Sequence, residues 1–354
     1  MQLSKEEKQQ YNRHLILDNI GEQGQLKLKN AKVLVIGAGG LGCPILQYLT
    51  AAGIGNIGIV DHDTIDQSNL QRQILYTHDD LGEFKAEVAA SKLSRLNPFV
   101  KFEIHIEKVT SENALNLFSN YDIIVDGSDN FPTRYLVNDA AVLSNKPLVF
   151  GSIFKFEGQV SVFNYKNGPT YRCLFPTPPK AGAVPNCSEI GVLGVLPGII
   201  GSLQANEVLK LILAIGDVLS GKVLTYNALS SQQLIFNFDK NESIHIEKLA
   251  HDYEVFCGIS NEITEITFET YALYKENYTV LDVRTNAERQ IRYIESLHIP
   301  LQELEERLHE IPQNKDLLVY CKSGVRSKAA IAILRQRDFD KNLVNLKNGL
   351  DAYS

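Results

Sequence analysis

Two groups of residues have types and spacings that suit chemistry. The first is Gly37, Gly39 and Gly42 in VLVIGAGGLGC, followed by Asp61, by Arg72 in SNLQRQ, by Lys85, and by Asp129 and Asn130 in DGSDN. Glycines at that spacing after an apolar run let an anion approach a helix N-terminus, where N–H groups lack intrahelical partners. Asp61 ends the next apolar run, where an acidic residue binds a ribose hydroxyl. These residues alone leave NAD and ATP both open. Arg72 and Lys85 add two cations suited to a triphosphate. Asp129, at the C-terminal end of a buried run, adds a carboxylate suited to Mg²⁺. Nothing after the glycine loop supplies a familiar proton donor beside a hydride acceptor, so ATP with magnesium accounts for more residues than NAD does.

The second group lies in VYCKSGVRSKAA, where Cys321 follows an apolar run and opens a loop leading into a helical pattern. Backbone N–H groups of Lys322 to Ser327 can point at its sulfur, and Arg326 adds a cation. Phosphatases place five residues between cysteine and arginine. Here only Lys322, Ser323, Gly324 and Val325 intervene, and the smaller loop suits a terminal sulfane sulfur better than a phosphate. A third candidate, Cys187 in PNCSE, precedes a helix in a Pro- and Gly-rich stretch, where a helix N-terminus would lower its pKa.

The elements that must position these residues follow from periodicity. Lys32–Ile36, the NIGIVD run, Val100–Val109 and the start of YDIIVDGSDN read as strands, and they alternate with helical patterns over Leu41–Leu49 and Phe84–Leu96. Such alternation predicts a mostly parallel sheet covered on both faces. Residues 147–165 then read as strands around FEGQ, which makes the second half of the sheet antiparallel, and KVLTYNAL and QQLIFNF close the domain near residue 238. Between them GPTYRCLFPTPPKAGAVPNCSE predicts a long crossing loop before a buried helix in residues 190–216. Residues 239–262 are the linker candidate. Residues 263–354 show a second alternation, with TVLDVR, DLLVYC and NLVNLKNGL as strands and LQELEERLHEI and SKAAIAILRQR as helices, of ordinary size for a small α/β domain.

Composition bounds the function. The chain has 354 residues, 44% hydrophobic and 22% charged, enough for two domains with their own cores. A net charge of −7 without a basic run predicts no nucleic-acid partner and no anionic membrane surface. The longest apolar stretch is interrupted by Pro197, Gln204, Asn206, Glu207 and Lys210, so no membrane span is expected. The five cysteines form no C-x-x-C pair and the first residues lack a signal-peptide core, which predicts a cytoplasmic protein with thiols available for chemistry.

The motifs YNRHLIL, VIGAGGLGCP, VDHDTIDQSNLQRQ, GEFKAEVA, DGSDN, EGQVSVF, YRCLFP and GSLQANEVLK together resemble the ThiF/MoeB family of sulfur-carrier adenylyltransferases, relatives of ubiquitin-activating enzymes, over residues 8–238. The resemblance implies a Rossmann-like adenylation domain with a mixed sheet. It implies ATP binding by Gly40, Asp61, Ser68, Asn69, Leu70, Gln71, Arg72, Lys85, Asp129 and Asn130, with Mg²⁺ held by Asp129. It also implies that Arg13 reaches the phosphates of a second subunit, hence a homodimer. The substrate would be a ubiquitin-fold carrier ending in Gly-Gly, whose carboxylate attacks the α-phosphorus. Cys187 matches the loop cysteine of relatives that bond covalently to the carrier. With LDVRTNAE and NLKNGLDAY, residues 263–354 resemble a rhodanese, which implies a persulfide on Cys321 fed by an upstream sulfur donor. The combined reading is carrier adenylation followed by thiocarboxylate formation, with molybdopterin synthesis ahead of thiamine or another thiolation pathway. The rivals are an NAD-dependent oxidoreductase and a non-catalytic module that binds a ubiquitin-like protein. One departure stands out. Relatives commonly hold a structural zinc with two C-x-x-C pairs, but here Thr170 replaces the leading cysteine of the first pair, Cys173 remains, and the second pair is missing from the linker. No structural zinc is expected, and apolar packing should hold that corner.

Overall fold

The computed structural model describes residues 2–179, 191–258, 263–337, 339 and 341–352. The chain divides into two compact units, Met1–Tyr253 and Glu254–Ser354. In the first, eight strands form one sheet: β1 (Lys32–Ile36), β2 (Asn56–Val60), β3 (Lys101–His105), β4 (Ile123–Asp126), β5 (Leu148–Phe154), β6 (Glu157–Phe163), β7 (Lys222–Asn227) and β8 (Gln232–Asn237). Their order is β3-β2-β1-β4-β5-β6-β7-β8. Pairings among β1 to β5 are parallel and those from β5 to β8 antiparallel. The central strands read as unbroken apolar runs because both faces are covered, and Val33, Val35, Ile57, Ile59 and Val125 lie in the main core. The edge strand β3 covers only the first half of the expected Val100–Val109 run and stays partly exposed.

Helix Leu196–Leu213 is the buried helix expected from residues 190–216. Pro197 occupies its first turn, and Gln204 and Glu207 are buried within it. Helix Phe131–Leu143, which the periodicity reading passed over, links β4 to β5. Its start carries a strong signal nonetheless: Asn130 caps it by accepting the Thr133 N–H at 2.9 Å, and Pro132 lies in its first turn.

The polar segment after residue 238 attaches to the first unit. Asn241 N–H donates to Cys173 Sγ at 3.4 Å, Ser111 Oγ donates to the Ala250 carbonyl at 2.6 Å, and Tyr253 Oη donates to Asp139 Oδ2 at 2.6 Å. Asp139 also receives Arg172 through two bonds, at 2.8 and 2.6 Å, which ties helix Phe131–Leu143 to the segment after β6.

The second unit has a five-stranded parallel sheet of β9 (Thr264–Ile266), β10 (Tyr278–Asp282), β11 (Leu297–His298), β12 (Asp316–Tyr320) and β13 (Leu343–Leu346), in the order β11-β10-β12-β13-β9. Leu281, Val319, Ile331 and Leu334 anchor its core. The helix expected over LQELEERLHEI is instead two 3₁₀ turns, Leu301–Glu303 and Leu308–Glu310. Pro300 and Pro312 bound the segment, and burying Leu304 and Ile311 while Arg307 pairs with both Glu303 and Glu310 is met by separate turns.

Candidate active site

β1 and β4 are the neighbours between which the strand order reverses, and open α/β sheets bind ligands outside the carboxyl ends of such strands. There the loops after β1 and β4 touch. Gly37 has φ +90°, and a Cβ on it would come within 3.0 Å of the Gly127 carbonyl oxygen. A Cβ on Gly42 would lie 2.0 Å from the Gly37 carbonyl oxygen, so glycine there lets helix Gly42–Ala52 start directly behind the loop. Ala38 is held at both ends of its backbone. Its N–H donates to Asp61 Oδ2 and its carbonyl accepts from Tyr76 Oη, each at 2.7 Å. Asp61 Oδ1 accepts the Asp63 N–H at 2.8 Å. Burial raises the Asp61 pKa against the pull of these two N–H groups. Asp61 therefore shapes the glycine loop, and each of its oxygens keeps a lone pair for a ribose hydroxyl.

The SNLQR segment forms a short 3₁₀ turn, Gln67–Asn69, capped by Asp66, which accepts the Ser68 N–H at 2.8 Å. Leu70 follows the turn, and a Cβ on Gly194 would lie 2.4 Å from the Gln71 carbonyl oxygen. The Arg72 stem runs beside Gly40, its Cγ 3.7 Å from where a Cβ would stand, and Pro197 backs the same glycine. Arg72 Nη1 donates to the Ser68 carbonyl at 3.0 Å, and the guanidinium makes no ion pair with a described residue. Lys85 opens helix Lys85–Leu96, nearly buried, with Nζ 2.9 Å from Asp63 Oδ2. Burial would raise the Asp63 pKa, but the hydrogen bond and charge of Lys85 hold it below the usual carboxylate range. The sequence reading passed over Asp63. Its signal is a second acid two residues beyond Asp61.

On the other side of the reversal, Asp129 is exposed, its carboxylate accepting a hydrogen bond among the described residues only from Asn130 Nδ2 at 3.5 Å, and Asn130 spends its side-chain oxygen on capping. An exposed carboxylate with hard oxygens and no cation partner among the described residues fits Mg²⁺. Arg13 is exposed in helix Asn12–Leu15. Tyr11, buried and bonded to Asn97, and His14, 3.0 Å from Gln25 Oε1, pin that helix. Cys187 lies outside the described residues.

In the second unit Cys321 directly follows β12, and Ser327 lies in the first turn of helix Val325–Gln336. Cys321 Sγ accepts the Gly324 N–H at 3.2 Å and the Ser327 hydroxyl at 3.4 Å. Burial pushes the thiol up, but the Ser327 hydroxyl and the N–H groups of Ser327, Ser323 and Gly324 outweigh it, leaving the pKa below that of an ordinary cysteine. Arg326 donates to both oxygens of Glu288, at 2.7 and 2.6 Å, so its charge is shared with a carboxylate. That bond holds the Glu288 pKa down to about 2. The cradle around the sulfur is thus mainly backbone and hydroxyl, with the cation one layer out.

These features define a nucleotide-binding α/β domain joined to a small α/β domain built around a reactive cysteine. The chain belongs to the ThiF family, which matches residues 11–245, and a rhodanese-like domain matches residues 269–354. It is similar to the sulfur carrier protein adenylyltransferase of Thermus thermophilus, 52% identical over 270 residues that cover 73% of this chain and 100% of that protein. Similarity to the probable adenylyltransferase/sulfurtransferase MoeZ of Mycobacterium tuberculosis is 42% over 370 residues, covering 99% of this chain and 94% of the relative. Among solved structures, E. coli MccB with MccA-N7isoASN aligns with a TM-score of 0.61 at 23% identity, over 69% of this chain and 75% of that one, a likeness of fold.

Proposed function

We propose that this chain adenylates the C-terminal Gly-Gly carboxylate of a ubiquitin-like sulfur carrier protein and then delivers sulfur to it from a persulfide on Cys321. The observation that carries the reading is one chain holding a glycine loop fixed by Asp61 at the sheet reversal, with Arg72 at Gly40 and Lys85 at Asp63, together with a low-pKa cysteine in a second unit. In the first reaction a carrier carboxylate oxygen bonds to the α-phosphorus of ATP. The bond from that phosphorus to the bridging oxygen breaks, and pyrophosphate leaves with the electron pair. An ionised carboxylate needs no general base, so these residues work by positioning and charge neutralisation. Asp61 orients the ribose, loop N–H groups and the two cations hold the phosphates, and Asp129 holds Mg²⁺. When bound, that ion supplies further neutralisation of phosphate charge. In the second reaction the terminal sulfur of the Cys321 persulfide bonds to the acyl carbon of the adenylate, and AMP leaves with the electron pair of the broken carbon–oxygen bond. A thiol reductant then attacks the Cys321 sulfur of the acyl disulfide, forms a disulfide with it and releases the carrier thiocarboxylate.

Residues 1–238 and 263–354 carry the two activities, and Arg13 completes the phosphate site of a second subunit in a homodimer. The carrier belongs to molybdopterin synthesis in our first reading, with thiamine or another thiolation pathway as the alternative. Cys43, Cys173 and Cys321 are in no disulfide, which supports a reducing, cytoplasmic setting. Among the described residues no helix is long and apolar enough to cross a membrane. The deciding experiment is ATP–pyrophosphate exchange against a panel of Gly-Gly-ending carriers. Exchange should require one carrier and be abolished in Asp129→Ala with the fold retained. No exchange with any carrier, or full exchange by Asp129→Ala, would overturn the reading or its metal assignment respectively.

A further inference from the structure

Beside the residues so far given a role, the first unit buries polar groups that satisfy nothing described. Arg134, in the first turn of helix Phe131–Leu143, is 8% exposed, yet its guanidinium makes no hydrogen bond or ion pair with a described residue and its Nε is fully enclosed. It lies over the rings of Phe131 and Phe150, 5.4 and 5.8 Å from their centroids. Asp126 is completely buried. One of its carboxylate oxygens accepts the Ser128 N–H at 2.9 Å and the other has no partner. The Ser128 hydroxyl is buried beside the Asp126 carboxylate, which also feels the Arg134 charge, and among the described residues it has no partner at full hydrogen-bond geometry. A buried unpaired donor or acceptor costs about 1–3 kcal/mol, more when charged, so three in one place call for an account.

Asp126 and the Arg134 guanidinium share one face of the sheet, and Ser128 follows just beyond the strand, its N–H on Asp126. Asp126 and Phe150 are partners across β4 and β5, so their side chains project to the same side, and Phe150 carries the Arg134 guanidinium. The opposite face is closed by Gln204, whose Nε2 donates to the Asp126 carbonyl at 2.7 Å and whose side chain fills the space a Cβ on Gly151 would need. The cluster therefore stands at the carboxyl end of β4, directly before Asp129. Asp129 and Asn130 of the nucleotide site follow the same strand, whereas the glycine loop follows β1 and Asp61, Arg72 and Lys85 follow β2.

We infer that Arg134, Asp126 and Ser128 form the subsite for the other reactant, the Gly-Gly main chain of the carrier, an assignment that rests on the proposed adenylation. The guanidinium donates to the terminal carboxylate, while the Asp126 oxygen and the Ser128 hydroxyl accept peptide N–H groups. Donors and acceptors side by side match a peptide terminus, whereas a phosphate offers acceptors alone. A terminus of two glycines has no side chains to exclude from so enclosed a place. Arg134 thereby opposes the repulsion between the incoming carboxylate and the triphosphate, in a setting where charge is weakly screened.

The test uses the full chain with the carrier that supports exchange in the wild type. If none does, the functional reading has failed and not this subsite. Arg134→Gln should lower kcat/KM for the carrier at least tenfold while the Kd of a non-hydrolysable ATP analogue stays within twofold. Arg134→Lys, which keeps the charge without the fork, should recover part of the loss. Ser128→Ala, a smaller change that serves if Arg134→Gln fails to fold, should raise the carrier KM several-fold with the ATP KM unchanged. Unaltered carrier kinetics in a folded variant, or a loss of analogue binding as large as the loss of exchange, would overturn the assignment. The first outcome would leave Arg134 and Asp126 a structural pair, and the second would move Arg134 to the nucleotide.

Discussion

Cys321 owes its lowered pKa to neutral donors, and one of those donors is contested. The Ser327 hydroxyl has a single hydrogen and two acceptors, Cys321 Sγ at 3.4 Å and Asn345 Oδ1 at 2.5 Å, while Asn345 Nδ2 is tied to Glu265 at 2.7 Å. When the sulfur ionises, the hydroxyl turns to it. Ser327→Ala removes that donor from the thiolate, so the midpoint of Cys321 alkylation against pH should move up by about one unit. An unchanged midpoint would mean that the hydroxyl stays with Asn345 in both states. Asp61 has a comparable double role. Beyond any contact to ribose, it accepts two N–H groups, one from Ala38 and one from Asp63, and Asp61→Ala orphans both. Leaving them unpaired should cost about 2 kcal/mol or more, a fall in Tm on the order of 5 °C for a unit of this size. Asp61→Asn, which keeps one acceptor oxygen, should lose less. Calorimetry decides the point, and an Asp61→Ala protein that melts like the wild type would reduce Asp61 to a ligand contact.

At the scale of elements, what could be read from sequence depended on whether one signal dominated. β1 and β4 are apolar on both faces and lead into glycine-containing loops, so these strands and the loops after them were legible, whereas the reversal of strand order between them was not. Helix Phe131–Leu143 was not legible either, because it is buried nearly all round, with Arg134, Asn138 and Asp139 among the buried residues. Tyr135 to Ala141 are buried without an exposed polar face, so the 3.6-residue stripe is missing and only the Asn130 cap and Pro132 mark it. Arg134 was overlooked along with its helix. Asp63 was overlooked because its meaning depends on Lys85, 22 residues away. The segments that carry cysteine pairs in relatives do meet. Cys173 Sγ accepts the Thr170 N–H at 3.4 Å and the Asn241 N–H at 3.4 Å. Tyr171 beside it packs on Tyr135, Phe150, Phe163 and Phe175 at centroid distances of 5.1, 5.3, 5.8 and 5.0 Å. One cysteine sulfur with hydrogen-bonding neighbours does not fit a tetrahedral structural zinc, which takes four nitrogen or sulfur ligands. Purified protein should therefore carry far less than one zinc per chain, with a Tm indifferent to chelator. Stoichiometric zinc together with chelator-sensitive melting would contradict this.

For the whole molecule, the remaining question is how many chains make one site. Arg13 is exposed beside Ile16 and Leu17, 61% and 50% exposed, and it makes no ion pair with a described residue, although Tyr11 and His14 hold its short helix firmly. An arginine fixed by its backbone and paired with nothing, next to uncovered apolar side chains, suits a contact with a second copy. The consequence can be counted. Arg13→Ala and Asp129→Ala should each abolish exchange in pure form. In a mixed dimer, one site takes Arg13 from the Asp129→Ala chain and Asp129 from the Arg13→Ala chain and is intact, while the other site lacks both. If subunits reassort at random, half the dimers are mixed with one good site in two, so an equal mixture should recover about a quarter of wild-type exchange. Subunits should be exchanged by dilution and reconcentration, with dimer formation followed by light scattering. Dimers that form and mix yet stay inactive would place Arg13 in its own subunit's site or in a purely structural role, and a chain that stays monomeric while the wild type is active would remove the shared site altogether.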